Sequence, residues 1–262
     1  MLTLRDFLVR GLIAGLIGGL AAFFVGYAIG EPAVEAAIAI EEAAGGHDHG
    51  TGAEAGEPEA EEDEGTEVSR PIQSTLGLAT GMLVLGAALG GIAGIATGLS
   101  FGRFGRRSAR ATAMAVAGAG FVVLFFVPFL IYPPNPPAVG DGDTIGWRTG
   151  LYFAMLAVSV IAAALAIYLG RTFTAKLGAW YAGLVGVGTY LAIVLIAFAV
   201  MPRYDEVPSD FPPSLLYEFR LSSILTQVVL WVVIGAALGE LTHRLHRSRA
   251  GARSDAELAS IG

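Results

Sequence analysis

The sequence predicts an all-α membrane protein, a bundle of about six transmembrane helices paired as three hairpins with both termini cytoplasmic. Three observations carry this. Hydrophobic residues make up 54 % of the 262 and charged residues only 15 %, too little polar surface for a soluble domain of this length. Apolar runs long enough to cross lipid recur along the chain. The bases and acids also segregate between alternate loops in the way that orients a membrane protein.

The first span is expected over about Phe7 to Gly30. Its apolar stretch from Leu12 to Ile29 exceeds a signal-peptide core of about 7–15 residues, so it reads as an uncleaved anchor. Residues 31–70 form a polar outer loop. A five-helix membrane region, 71–241, follows, with spans near Pro71–Phe101, Ala111–Tyr132, Thr149–Leu169, Leu177–Met201 and Leu215–Leu241. Its two outer loops are rich in proline and read as ordered. Residues 242–262 make a basic cytoplasmic tail, whose His243 and His246 sit at the lipid surface.

Of the 16 bases, Arg5, Arg10, Arg103, Arg106, Arg107, Arg110, Arg171, Lys176, Arg244, Arg247, Arg249 and Arg253 fall on one side of these spans. Only Arg70, Arg148, Arg203 and Arg220 fall on the other. Basic loops stay in the cytoplasm, so the split puts both ends inside, as an even number of spans requires.

Glycines recur at every fourth residue: Gly11, Gly15 and Gly19 in the first span, and Gly86, Gly90, Gly94 and Gly98 in the second. That spacing lines one helix face with bare backbone and predicts close helix packing. Gly86-Ala87-Ala88-Leu89-Gly90 recurs as Gly235-Ala236-Ala237-Leu238-Gly239, a faint sign of repeated hairpins.

The chemistry is concentrated in the first outer loop, where thirteen acids face one base, Arg70. Glu31, Glu35, Glu41 and Glu42 lead to His47-Asp48-His49, and the stretch between Ala43 and Glu67 has the composition of a segment disordered without ligand. Two imidazoles around a carboxylate suit Co²⁺, Ni²⁺, Zn²⁺ or Cu²⁺ better than Mg²⁺. Glu31 and Glu35 share a helical face if the first span continues past Pro32. Two readings stay open at this point: a loop that collects metal at the membrane face, and a solvated acidic loop with incidental histidines.

The span interiors hold no charge near their middles, which argues against a carboxylate proton relay. Gln227, Thr226, Tyr190, Thr189 and Ser159 are the polar pathway candidates there, and Met82, Met114 and Met155 add soft sulfur. Arg148 and Arg220 lie near helix N-termini, where the dipole disfavours them, and are expected to pair with acids of the two proline-rich loops, such as Asp141, Asp143, Glu218 or Asp210; the second loop also holds Asp205 and Glu206. Asp143 or Thr144 is expected to cap the fourth span. There is no cysteine and no glycine-rich Lys-Ser/Thr phosphate loop, so thiolate metal sites and a built-in nucleotide motor are excluded, and no nucleic-acid partner or catalytic cluster is expected.

Four blocks resemble the CbtA family of probable cobalt transporter subunits. They are Pro32 to Glu35 with the His47-Asp48-His49 loop; Tyr132-Pro133-Pro134-Asn135-Pro136-Pro137-Ala138-Val139-Gly140-Asp141; Thr144-Ile145-Gly146-Trp147-Arg148-Thr149-Gly150-Leu151-Tyr152-Phe153; and Asp205-Glu206-Val207-Pro208 with Phe211-Pro212, Glu218-Phe219-Arg220, Gln227 and Trp231. The resemblance implies Co²⁺ uptake across the bacterial inner membrane for cobalamin synthesis, with Ni²⁺ the nearest alternative ion. It also implies a small CbtB-like partner with one span and a histidine-bearing end. The expected activity is therefore that of a non-enzymatic permease subunit with no permanent cofactor. It is lipid-embedded and either partnered or homo-oligomeric. A non-transporting scaffold or regulatory subunit is the competing reading.

Overall fold

The computed structural model describes residues 3–45, 69–102 and 108–259, and among these it contains helices and no strand. His47, Asp48 and His49 lie outside the described residues.

Helix α1 (Leu4–Val25) starts from a capping box in which Thr3 and Asp6 satisfy each other's free amides. It continues through a π-helical turn, π1 (Gly26–Gly30), into α2 (Glu31–Gly45). The helix therefore runs past Pro32, and residues assigned to the outer loop begin as helix. The return helix is α3 (Arg70–Ile72), π2 (Gln73–Gly77) and α4 (Leu78–Ser100). The third is α5 (Ala109–Gly120), π3 (Phe121–Phe126) and α6 (Val127–Ile131). A 3₁₀ turn over Gly142–Thr144 precedes α7 (Ile145–Val200), and α8 (Pro213–Ala259) ends the described chain.

Five of these helical runs are long and apolar enough to cross a bilayer: Leu4–Ala43, Arg70–Ser100, Ala109–Ile131, Gly142–Val200 and Pro213–Ser248. The fourth, at 59 residues, would extend about 88 Å if straight, close to three times the roughly 30 Å hydrocarbon core. It is not straight, because Gly178 breaks it with φ 76° and ψ 164°, a conformation a side chain would strain. On either side of that break the arms meet: Gly186 packs on the backbone of Ala166 and Gly170, Ser159 Oγ is 2.9 Å from the Tyr190 hydroxyl, and Met155 shares a buried cluster with Val194. Sequence positions rise along one arm as they fall along the other, so the arms are antiparallel.

The two glycine stripes face each other. A Cβ on Gly11 would strike the Gly90 carbonyl oxygen, one on Gly15 that of Gly86, and one on Gly19 that of Met82. With no side chains between them, α1 and α4 run antiparallel at backbone contact. Helix α8 covers both α1 and α5. On one side Leu230 and Ile234 meet Gly18. On the other, Gly235 and Gly239 lie against Met114 and Arg110, and Trp231 lies over Gly120. The core between them is Ala14, Ala22, Ala93, Ala113, Ala117, Leu230, Ile234 and Leu238. The outward faces are apolar and exposed, with Leu195 at 64 % and Trp180 at 74 %, as lipid contact requires.

Candidate functional site

One end of the bundle gathers the loops 132–144 and 201–212 with α2, α3 and the neighbouring ends of α7 and α8. Arg148 meets Glu206 at 3.2 Å and donates to the Asp141 carbonyl at 2.9 Å. Glu206 also accepts the Asp141 amide at 3.0 Å and the Thr144 hydroxyl at 2.9 Å. Arg220 donates to Asn135 Oδ1 at 2.9 Å and to the Pro134 carbonyl at 3.4 Å. The expected acid partner from these loops is met for Arg148, though by Glu206, and is corrected for Arg220. Arg148 takes the carboxylate of Glu206, with Asp141 contributing only its backbone, and Arg220 takes an amide side chain. Thr144 likewise serves Glu206, and neither it nor Asp143 caps α7 with its side chain. Gly140, at φ 114°, lies directly against the Arg148 guanidinium, where any Cβ would collide.

The Asp141 amide first, then the Thr144 hydroxyl and Arg148, hold the Glu206 carboxyl below the usual carboxylate range. A lowered folded value means that the clasp is fully present above the ordinary carboxylate range and is lost as pH falls through the depressed one. Lowering the pH from about 6 to about 3 is therefore expected to raise hydrogen exchange at the Asp141 amide relative to its intrinsic rate, with the change completed only below the range typical of a free glutamate. An exchange ratio unchanged down to the acid limit would show that Glu206 does not hold the two loops together.

These loops frame a cavity of about 350 Å³ lined by Phe125, Phe129, Tyr132, Asn135, Arg148, Thr149, Tyr152 and Tyr204, with Pro133, Pro134 and Val139. Tyr132 donates to the Pro202 carbonyl at 2.6 Å and stacks on Tyr204, with centroids 5.5 Å apart. Among the described residues no carboxylate lines this cavity, and the one charge on its wall is a guanidinium. Its walls therefore offer a cation only weak neutral donors.

The carboxylates stand on α2 instead. Glu31 is taken by Arg70 at 2.6 Å, half-buried, so it is a paired group and not a free ligand. Glu35, Glu41 and Glu42 are exposed, with Glu35 and Glu42 on the face that begins at Glu31. Among the described residues, no group of three or more His, Asp or Glu side chains could hold a metal ion.

Inside the membrane region, two of the five pathway candidates meet. Ser159 donates to the Val123 carbonyl at 2.8 Å and shares a hydrogen bond with Tyr190. Thr226 is buried on α8, and the Oε1 of Gln227 is buried with no hydrogen-bond partner. Thr189 bonds back to the Val185 carbonyl at 2.8 Å. The three methionines do not converge: Met155 is in the cluster with Val194, Met82 packs on the α1–α8 core, and Met114 lies under Gly235.

The π turns were not anticipated, nor was Glu206 singled out among the loop acids as the partner of Arg148. The π turns had a signal. Proline lacks an amide and its ring pushes on the carbonyl four residues earlier. Pro32 therefore acts on Ala28 inside π1, and Pro128 on Leu124 inside π3. At π2 the Pro71 carbonyl takes the hydroxyls of Ser74 at 3.3 Å and Thr75 at 2.5 Å instead.

A family model described as a probable cobalt transporter subunit (CbtA) matches residues 4–243. No curated protein and no solved structure matches the chain.

Proposed function

The chain belongs to the CbtA family of probable cobalt transporter subunits, and from that premise we propose that it is a membrane permease subunit for uptake of a divalent transition metal, Co²⁺ first and Ni²⁺ second, serving cobalamin synthesis. The observation that carries the reading is the extent of the match, which takes in nearly the whole membrane region and both proline-rich loops. We assign six crossings, in three hairpins, by counting the arms of α7 on either side of Gly178 separately. The acidic segment then faces outward and both termini face the cytoplasm, in the bacterial inner membrane.

On this reading His47, Asp48 and His49 collect the ion, and Glu35, Glu41 and Glu42 pass it along α2 toward the bundle. Glu31 acts through its pair with Arg70, fixing the outer ends of α1 and α4. A potential of −100 mV favours entry of a divalent ion by about 4.6 kcal/mol, enough to drive uptake without a nucleotide or a proton relay. The word subunit in the family description implies a complex, and a small one-span protein with a histidine-bearing end, or a second copy of this chain, would complete it.

Purified full-length protein in liposomes, alone and with whatever co-purifies, should take up Co²⁺ faster under an inside-negative potential. The double variant His47→Ala/His49→Ala should raise the half-saturating Co²⁺ concentration several-fold and leave the maximal rate near wild type, because the loop concentrates ions and does not move them. Absence of uptake in both preparations would favour the non-transporting scaffold. Unaltered half-saturation in the double variant would remove the loop from the mechanism.

A further inference from the structure

The three π turns lie at one level of the bundle. Helices α1 and α4 are tied below by Gly19 against Met82 and above by Glu31 with Arg70, and π1 and π2 both fall between these ties. Helix α8 crosses the same level. Gly26 of π1 faces Thr226, and Gly30 faces Ser222. The third turn, π3, faces α8 between the contact of Gly120 with Trp231 below and that of Arg220 with Pro134 and Asn135 above. Two of the turns, π1 and π3, thus face the same stretch of α8, Ser222 to Trp231, and π2 lies at their level on the neighbouring helix. One π turn is explained by its own proline, but three on different helices at one depth form a local device, and such turns concentrate at functional sites.

The same level carries unsatisfied polar atoms. Gln227 Oε1 and Trp231 Nε1 are both buried without a hydrogen-bond partner. They are one turn apart, on the α8 face that meets α5 and π3. The hydroxyls of Thr97 and Thr242 are bare as well, so burial alone marks no site; here an acceptor and a donor stand one turn apart on one face, and buried polar groups are normally paired. The pair is complementary to a hydrated cation, whose metal or water protons take the amide oxygen and whose water oxygen takes the indole N–H. Phe125 of π3 lines the outer cavity, and π3 packs on α8, the helix that carries Gln227.

We propose that this level is the constriction of the ion pathway, where a partly hydrated divalent cation leaves the outer cavity and is held by Gln227 Oε1, with Trp231 Nε1 donating to one of its waters. The proposal rests on the permease reading and names the passage within it. Neutral oxygens suit a site of passage, since conduction needs an ion held firmly enough to enter and weakly enough to leave.

The test uses the full-length protein with Trp147→Phe and Trp180→Phe, both exposed positions, leaving Trp231 as the only indole. Co²⁺ should quench Trp231 fluorescence saturably, and Gln227→Leu should abolish the saturable part. In liposomes Gln227→Leu should lower the maximal Co²⁺ uptake rate at least tenfold. Gln227→Glu should instead lower the half-saturating concentration while slowing turnover, because a carboxylate holds the ion too well, and acid should relieve it. Uptake by the parent protein without saturable quenching, or Leu and Glu variants that behave alike, would overturn the proposal. Saturable quenching without uptake would keep the site and overturn the permease reading.

Discussion

Gly90→Ala should destabilise the protein by about 1–3 kcal/mol, whereas Gly81→Ala in the same helix should be neutral or slightly stabilising. The added Cβ at position 90 would fall on the Gly11 carbonyl oxygen and within 2.5 Å of the Gly15 Cα, with Gly15 N at 2.6 Å. All three are backbone atoms, so no side chain can turn aside and the two helices must separate. Separation would also loosen the neighbouring contacts at Gly86 and Gly94, which face α1 in the same way. At Gly81 a Cβ meets nothing within 4 Å and points to lipid, so only the lower entropy of alanine in the helix remains. Thermal unfolding of both variants in one detergent measures the contrast. Equal melting temperatures would mean that α1 and α4 do not pack backbone to backbone.

That contrast marks how far spacing alone could go. The four-residue glycine periods showed that a bare face existed on each helix, and their partners proved to be each other. Spacing could not name the partner. The pentapeptide Gly86-Ala87-Ala88-Leu89-Gly90 packs on α1, while its repeat from Gly235 to Gly239 packs on α5. One local pattern serves two neighbours because a small-residue face is permissive about what approaches it. Polar pairing failed in a related way. Arg148 needed a carboxylate, and several stood nearer in sequence than Glu206, 58 positions away. Chain distance says little once two loops fold over the same bundle end. Ser159 and Tyr190 were both selected as polar groups in apolar spans, and the turn expected between those spans lies beside the break at Gly178; which faces of the two arms would meet was not legible from composition. At Pro32 the missing amide is met by a widened turn, Gly26–Gly30, in which the hydrogen-bond partner shifts by one residue.

A cysteine at Asp210 should react with a membrane-impermeant maleimide in intact cells, and one at Thr174 should react only after the membrane is opened. The chain has no cysteine of its own, so each variant carries a single reporter. Both positions are exposed and lie outside the packed core. The expectation follows from two independent forces. Bases near the surface gain about 1 kcal/mol each from the anionic inner leaflet, and the end of the bundle with Arg110, Glu240 and Arg244 continues into the basic stretch of α8. The opposite end holds Glu206, Asp205 and Asp210 beside the loops that follow α6 and α7. The second force is the turn at Gly178. Thr174 stands one helical turn before it and Asp210 follows the far end of the second arm, so the two report opposite faces only if that arm crosses the bilayer. Reaction of Asp210→Cys only after opening, with Thr174→Cys reactive in intact cells, would invert the orientation and place the carboxylates of α2 in the cytoplasm. Reaction of both from one side would remove the crossing between them, leaving an odd number of spans and termini on opposite faces. The capture of cations from outside by the His47–His49 segment depends on the first of these outcomes not occurring, and the three-hairpin bundle on the second.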